Sequence, residues 1–451
     1  MYKPILRMTG PAFVELFLAS LYGMVNMVMV GRLDAAQPGN ISAVGITNQP
    51  FFLLISFFAA VNIGTTTLVA WKVGAGQGRQ ASGVLRQSLL INLGLSVALG
   101  ALGYWAAPFV MRFMATDAFV VENATAFFRV LCLGLPFMAI NMAITAALRG
   151  AGQTKIPMYY NLLANIVNVP LAFGLIFGNF GLPAMGIVGA AVATNAARLI
   201  SAVVPLCYIV LNRHSPIRVK LRGSWRLKRD DIAVLMRIGA PSSLEQIALQ
   251  GGLMLFHRVV NMLGTETYDA HQIAITINGM AFAVSQAFSI TATALVGQAV
   301  GVGDFDKARQ TVKYTARAAR VAAFAVALIL IAFARPLVAL FTDNQSVAAL
   351  TIPIFFLIAA VQYIQSVQMC RAGALRGAGD TMYPFYSSLI GIWLLRLPLA
   401  YLFAWQLGPH GLGLVGAWLS FFFDQIVRNI VVKRRFNGNK WEMIRMKRSK
   451  D

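Results

Sequence analysis

The chain has 451 residues, 58% of them hydrophobic and only 12% charged, with a formal net charge of +22. Soluble domains carry about 25% charged residues, so this composition excludes a large soluble protein and indicates an integral membrane one. Three cysteines and four histidines offer neither a disulfide framework nor a metal-ligand set, and no HExxH motif occurs.

In chain order, apolar runs of the roughly 17–25 residues that cross a bilayer predict twelve helices. They lie at about 11–31, 43–71, 84–111, 119–143, 156–178, 185–211, 236–263, 270–298, 312–334, 346–370, 383–405 and 412–432. None alternates like a barrel strand, and a lipid-facing backbone must be satisfied within its own segment, so the fold class is all-α. The first run is too long for the core of a signal peptide and no small-residue cleavage site follows it. It is read as a retained span. Cys132, Cys207 and Cys370 fall in apolar stretches and are expected to be small buried hydrophobes.

The positive charge is not spread evenly. Of the 38 Lys and Arg, 30 lie at the N-terminus, in alternate loops near 72–86, 149–155, 213–237, 307–320 and 371–376, and in the tail at 433–450. The opposite loops hold Arg32, Arg112, Arg258 and Arg335. This positive-inside pattern places both termini in the cytoplasm, and the expected location is the plasma (inner) membrane. With the charge used for orientation, no nucleic-acid partner is expected; weak association of the tail with anionic lipid is.

Three pairs of strings repeat at one spacing. LVAWKVGAG (68–76) matches LVGQAVGVG (295–303), ALRGAGQTKIP (147–157) matches ALRGAGDTMYP (374–384), and GIVGA (186–190) matches GLVGA (413–417), each pair 227 residues apart. The chain is therefore read as a duplicated six-helix unit: bundles at 1–210 and 232–432, a polar linker at 211–231 and a basic tail at 433–451. Six spans per copy make the repeats parallel, with a pseudo-two-fold axis along the membrane normal and a transport cavity between them. The ALRGAG strings are read as cytoplasmic interhelical turns, with Arg149 and Arg376 near helix C-termini where a cation is favoured. GAGQG (74–78) follows no strand and precedes no Lys-Ser/Thr, so phosphate binding is not expected.

Several of these strings carry a family resemblance. PAFVELFLASLYGMVNMVMVGRL, TLVAWKVGAG, ALRGAGQTKIP, AHQI (270–273), ALVGQAVGVG and GAWLSFFFDQIVR resemble the multidrug and toxic compound extrusion (MATE) transporters, in family order across nearly the whole chain. The resemblance implies a V-shaped pair of six-helix bundles that exports organic, often cationic, compounds by antiport with H⁺ or Na⁺.

A transporter without a nucleotide motif couples through groups that gain or lose a cation, and intramembrane ionisable residues are the first candidates. These are Glu15, Glu245, Asp424 and Arg396. Glu15 and Glu245 each follow a proline by four residues (Pro11, Pro241) and are repeat counterparts. No basic residue lies within a helical turn of Glu245, so it is expected to exchange a proton near neutral pH; the alternative is a structural carboxyl satisfied by serine hydroxyls. Arg396 should pair with Asp424 or Glu245, and Asp424 with Arg428 four residues on, either structurally or as a pair that breaks when a proton or substrate arrives. Two carboxylates that the resemblance implies are missing, at Asn26 and Ala172, and a third acidic position is Gln365. That loss of hard anionic ligands shades the reading from Na⁺ towards H⁺.

The expected cavity surface is Asn26, Tyr22, Asn165 and Asn168 in the first half and Gln362, Gln365 and Trp393 in the second, though amides also serve as packing between helices. His271, at the start of the eighth span, is read as structural, with pH sensing as the alternative. The expected function is a monomeric, H⁺-coupled exporter of small organic compounds that needs no cofactor or metal. Na⁺-coupled export and a lipid-linked precursor flippase are the rivals within transport. A membrane-embedded enzyme is disfavoured by the absence of a catalytic motif.

Overall fold

The structure is a computed structural model, described for residues 1–34, 40–115, 117–212, 216–219, 228–342, 344–406 and 412–442. Much of the linker and the last nine residues of the tail lie outside the described residues. Helices account for nearly all of the rest, and no strand occurs among the described residues.

The first half contains α1 (Tyr2–Asp34), α2 (Asn40–Gly74), α3 (Gly78–Met114), α4 (Ala118–Leu133), α5 (Leu135–Gly150), α6 (Lys155–Phe177) and α7 (Gly186–Leu211). The second contains α8 (Arg229–Asn261), α9 (Thr265–Val302), α10 (Phe305–Ala332), the short α11 (Ala334–Ala339), α12 (Gln345–Ala378), α13 (Met382–Leu389), α14 (Leu397–Tyr401) and α15 (Gly413–Asn437). Two π-helical turns, Ile390–Arg396 and Leu402–Gln406, make α13 and α14 one continuous rod. Among the described residues, ten helices are long and apolar enough to cross a bilayer, and the bent pair α4–α5 makes an eleventh. The twelfth expected span is α8, which has 33 residues and carries charged residues through its first turns.

The fourth span is bent by 47° between α4 and α5. Pro136 cannot donate to the carbonyl one turn back, so the ladder fails there. Two side chains of α7 occupy the freed end: Asn195 donates to the Val130 carbonyl and Arg198 to that of Leu131 at 3.4 Å. The counterpart α12 is unbroken, with Tyr363 at the position of Pro136.

The chain falls into two compact units, residues 14–239 and residues 1–13 with 240–451. The divisions cut α1 and α8 beside Pro11 and Pro241, not the polar segment at 211–231. Ile5 accordingly packs with Phe288 and Ala319, and Thr9 donates to Thr291 at 2.9 Å. Reciprocally, the start of α8 belongs to the first unit. Gln87 donates to Asp231 at 3.0 Å, and Gly239 lies so close to Ala60 that a Cβ would overlap its carbonyl.

The duplication is reproduced in hydrogen bonds. Thr66 Oγ1 donates to the Ala146 carbonyl at 3.0 Å, and Thr293 Oγ1 donates to that of Gly373 at 2.8 Å. A Cβ on Gly150 would overlap the Thr66 carbonyl oxygen, and one on Gly377 that of Thr293. These residues all correspond at the 227-residue offset. Most of each ALRGAG string is thus the last turn of a helix, and Ala151 with Gly152 (φ 81°) in the first copy and Gly379 (φ 86°) in the second form the turn after it. The glycine before the turn is required by close helix packing.

Beyond α15, Trp441 stacks on Phe436 and meets Phe305 edge-on, while Arg309 pairs with Glu442 at 2.5 Å. Cys132 and Cys370 are buried as expected, but Cys207 is exposed, because it sits on the outward face of α7. Replacing Gly377 by Ala should cost about 1–3 kcal/mol through overpacking. Thermal unfolding in detergent should show a clearly lowered midpoint, and an unchanged midpoint would contradict the close-approach reading.

Candidate functional site

Both repeat-related glutamates are buried, and each is held by the arginine of an ALRGAG string. In the first unit, Glu15 Oε1 accepts from Arg149 Nη2 at 3.0 Å and from the Asn161 amide at 2.7 Å. In the second, both oxygens of Glu245 accept from Arg376 Nη2, at 2.8 and 2.9 Å, and Ser388 Oγ donates to Oε1 at 2.9 Å. Arg149 and Arg376 correspond at the 227-residue offset, as do Asn161 and Ser388. The same polar device is built twice.

This corrects the expectation that Glu245 is unneutralised. Its own helix offers no cation within a turn, but α12 delivers one from across the bundle. Sequence reasoning missed Arg149 and Arg376 as counterions, and missed Asn161 and Ser388 altogether. The available signal was the repeat arithmetic, since the arginines stand at one offset and the glutamates at a slightly different one, 230 residues.

The sites differ in what stands behind them. Glu15 leaves Oε2 buried with no partner among the described residues, and Asn161 Oδ1 accepts from the Asn141 amide at 3.0 Å. Asn141 in turn accepts from Thr145, whose hydroxyl meets Tyr160. In the second unit Asp424, fully buried, pairs with Arg396 through Nη2 and through Nε at 3.0 Å. Arg396 lies over the Phe421 ring at 4.1 Å, so its charge meets a carboxylate on one side and an aromatic face on another. Of the two expected partners, the structure selects Asp424. The expected Asp424–Arg428 pair does not form, because Arg428 Nη2 reaches Ser388 Oγ at 2.7 Å instead.

The polar residues expected to line a cavity separate into satisfied and unsatisfied groups. Tyr22 shares a hydrogen bond with Thr194 at 3.2 Å, and Trp393 Nε1 donates to the Ala248 carbonyl at 3.0 Å while its ring stays partly exposed. Gln362 donates to the Ala281 carbonyl but leaves its oxygen without a partner among the described residues, as do Gln365 and Asn26. Asn168 is fully buried and neither of its amide atoms has a partner among the described residues. Asn165 is half-buried on α6. His271 is buried among the rings of Phe256, His257, Tyr268 and Trp418. Among the described residues no group of His, Cys, Asp and Glu could hold a metal ion.

Removing one member of a buried ion pair strands the other charge, at about 3–5 kcal/mol. Arg396→Gln should therefore lower thermal stability strongly, and adding Asp424→Asn should recover part of the loss. Equal stability of wild type and Arg396→Gln in detergent melts would contradict the pairing.

Comparison with known proteins agrees with this architecture. The MatE family profile matches residues 11–174 and 241–402, one segment in each half. The chain is 28% identical over 442 residues to a probable multidrug resistance protein NorM of Thermotoga maritima, covering 98% of this chain and 93% of that one. It is 26% identical over 424 residues to the multidrug resistance protein MdtK of Edwardsiella ictaluri, covering 93% and 91% of the two chains. Among solved structures, a multidrug resistance MATE family transporter of the MOP superfamily in an outward-facing conformation superposes with a TM-score of 0.88. The identity is 22%, and 99% of this chain and 96% of that one are covered. With an all-α fold of ten or eleven apolar membrane-length helices among the described residues, a duplicated carboxylate–arginine device and a family profile matched in both halves, the chain belongs to the MatE family and is a membrane transporter, not an enzyme.

Proposed function

We propose that the protein is a secondary antiporter that exports organic compounds, cationic or amphipathic in character, in exchange for H⁺. It would act as a monomer in the plasma (inner) membrane with both termini in the cytoplasm. The relatives named as multidrug resistance proteins support small organic substrates. The observation that carries the coupling reading is the shell of Glu245: a buried carboxylate whose partners, Arg376 and Ser388, are all donors.

That shell favours a proton over Na⁺. Na⁺ needs several oxygen ligands, and it would have to sit beside a guanidinium that already occupies both carboxylate oxygens. A proton needs only one of those oxygens, and it turns the anion into a neutral group that no longer holds Arg376. An organic cation can compete for the same anion. Proton and substrate thereby become alternative occupants of Glu245, which is what antiport requires. Glu15 would act in the same way in the first unit. The unsatisfied amides of Asn26, Asn168, Gln362 and Gln365, together with Tyr22, Asn165 and Trp393, would supply adaptable contacts to the substrate.

Proteoliposomes loaded with a fluorescent organic cation test this directly. An imposed pH gradient should drive transport, an imposed Na⁺ gradient at equal pH should not, and Glu245→Gln should lose at least about ten-fold in pH-driven rate, the loss of one charge-assisted interaction. Transport driven only by Na⁺, or an unchanged rate in Glu245→Gln, would overturn the reading.

A further inference from the structure

The polar groups that begin at Glu245 do not end at Ser388. The Ser388 hydroxyl donates to Glu245 at 2.9 Å and accepts from Arg428 Nη2 at 2.7 Å, so a directed string runs from a guanidinium through a hydroxyl to a carboxylate. Ser387 Oγ donates to the Arg428 carbonyl at 3.2 Å and fixes α13 against α15 at this level. Arg428 is buried, and its Nε has no partner among the described residues. Asp424, one helical turn before it on α15, holds Arg396 with Oδ2 and leaves Oδ1 without a partner among the described residues.

Gly391 lies against Asp424 Oδ1 and the Arg428 side chain. A Cβ there would overlap Asp424 Oδ1 and the Cγ and Cδ of Arg428. Gly391 sits in the π-helical turn Ile390–Arg396, a local widening of the helix that recurs at functional sites. The turn carries Arg396 at its end, directly follows the helix that carries Ser388, and leaves residue 391 without a side chain where Asp424 and Arg428 meet it.

Three arginines (376, 396 and 428) thus face two carboxylates (245 and 424), with Ser388 and Gln425 as the neutral members. One guanidinium has no carboxylate of its own. The first unit has no such extension. At the 227-residue offset, Val169, Ala197 and Ser201 replace Arg396, Asp424 and Arg428, and Asn161 draws on the neutral Asn141.

We propose that Ser388 and Arg428 are positioning residues that join the two carboxylates of the second unit into one responsive group. This rests on the reading of Glu245 as the coupling carboxylate. While Glu245 is anionic, the Ser388 hydroxyl is polarised towards it and Arg428 is drawn to that hydroxyl. When a proton or a substrate cation neutralises Glu245, Arg428 keeps only a neutral hydroxyl. The free Oδ1 of Asp424, four residues back on the same helix face, then becomes the better partner. Asp424 is shared between Arg428 and Arg396, and the Arg396 pair loosens. Occupancy at Glu245 is thereby read out at the Arg396–Asp424 pair.

The test is the pH profile of transport in proteoliposomes for wild type, Asp424→Asn, Ser388→Ala and the Ser388→Ala/Asp424→Asn double variant, with Glu245→Gln as control. Asp424→Asn removes an anion that competes for Arg428, leaving the cation wholly to the Ser388–Glu245 string and making neutralisation of Glu245 harder. The midpoint should move to more acidic pH by about one unit, the scale of one nearby charge. With the string cut by Ser388→Ala, the same substitution should move it by less than about a third of that. Arg428→Met cuts the string at its other link and should give the same loss, so the inference stays testable if either variant fails to fold.

An equal Asp424→Asn shift in the intact and cut backgrounds, or no shift in the intact one, overturns the relay. Unchanged transport in Glu245→Gln overturns the coupling reading itself. The two failures are told apart by that control.

Discussion

A carboxylate inside an apolar helix bundle must find a cation, because a charge at the centre of a membrane helix costs about 2.5–3.5 kcal/mol on insertion scales. Glu245 finds Arg376 on a different helix, and Glu15 finds Arg149. These two pairs tie α1 and α8 to the ends of α5 and α12. Much else is arranged around them. Gly150 and Gly377 let the arginine-bearing helices approach their neighbours, the threonines at 66 and 293 lock that approach, and the following glycines turn the chain.

The pairs are equal in plan and unequal in surroundings. In the first unit the glutamate's amide partner leads into neutral groups, Asn141, Thr145 and Tyr160. In the second the serine partner leads to an arginine, and beside it lies a second carboxylate–arginine pair packed against Phe421 and Phe256. A neutral network polarises but carries no surplus charge. A charged network with more arginines than carboxylates redistributes when one anion is neutralised. The two copies share the scaffold, and the second carries the additional charges.

Architecture was well expressed in the sequence because hydrophobic length and repeat spacing are local quantities. The membrane-length helices and the duplication were within reach of those rules, while the sequence left Arg396 a choice between Asp424 and Glu245. Partnerships between distant helices were not. Nothing near Glu245 announces Arg376, because 131 residues separate them, and the ALRGAG arginine looked sufficiently explained by the helix terminus beside it. Asp424 and Arg428 have the spacing of a helical ion pair, yet the geometry of α13 gives Arg428 to Ser388. The π-helical turn at Ile390–Arg396 has no reliable sequence signature, and Gly391 reads as an ordinary membrane glycine until its neighbours are seen. The division of α1 and α8 between the two units was also hidden, since hydropathy marks where a helix lies but not which bundle it joins.

The central claim is that proton and organic cation exclude each other at Glu245, and proton release on substrate binding measures this without transport. Adding a permanently charged organic cation to the purified protein in weakly buffered detergent solution should release protons, over the pH range in which a pH gradient drives transport. The release should fall by roughly half or more in Glu245→Gln, since Glu245 is one of the two carboxylates in paired sites. Substrate binding without proton release in the wild type, or undiminished release from Glu245→Gln, would contradict the account.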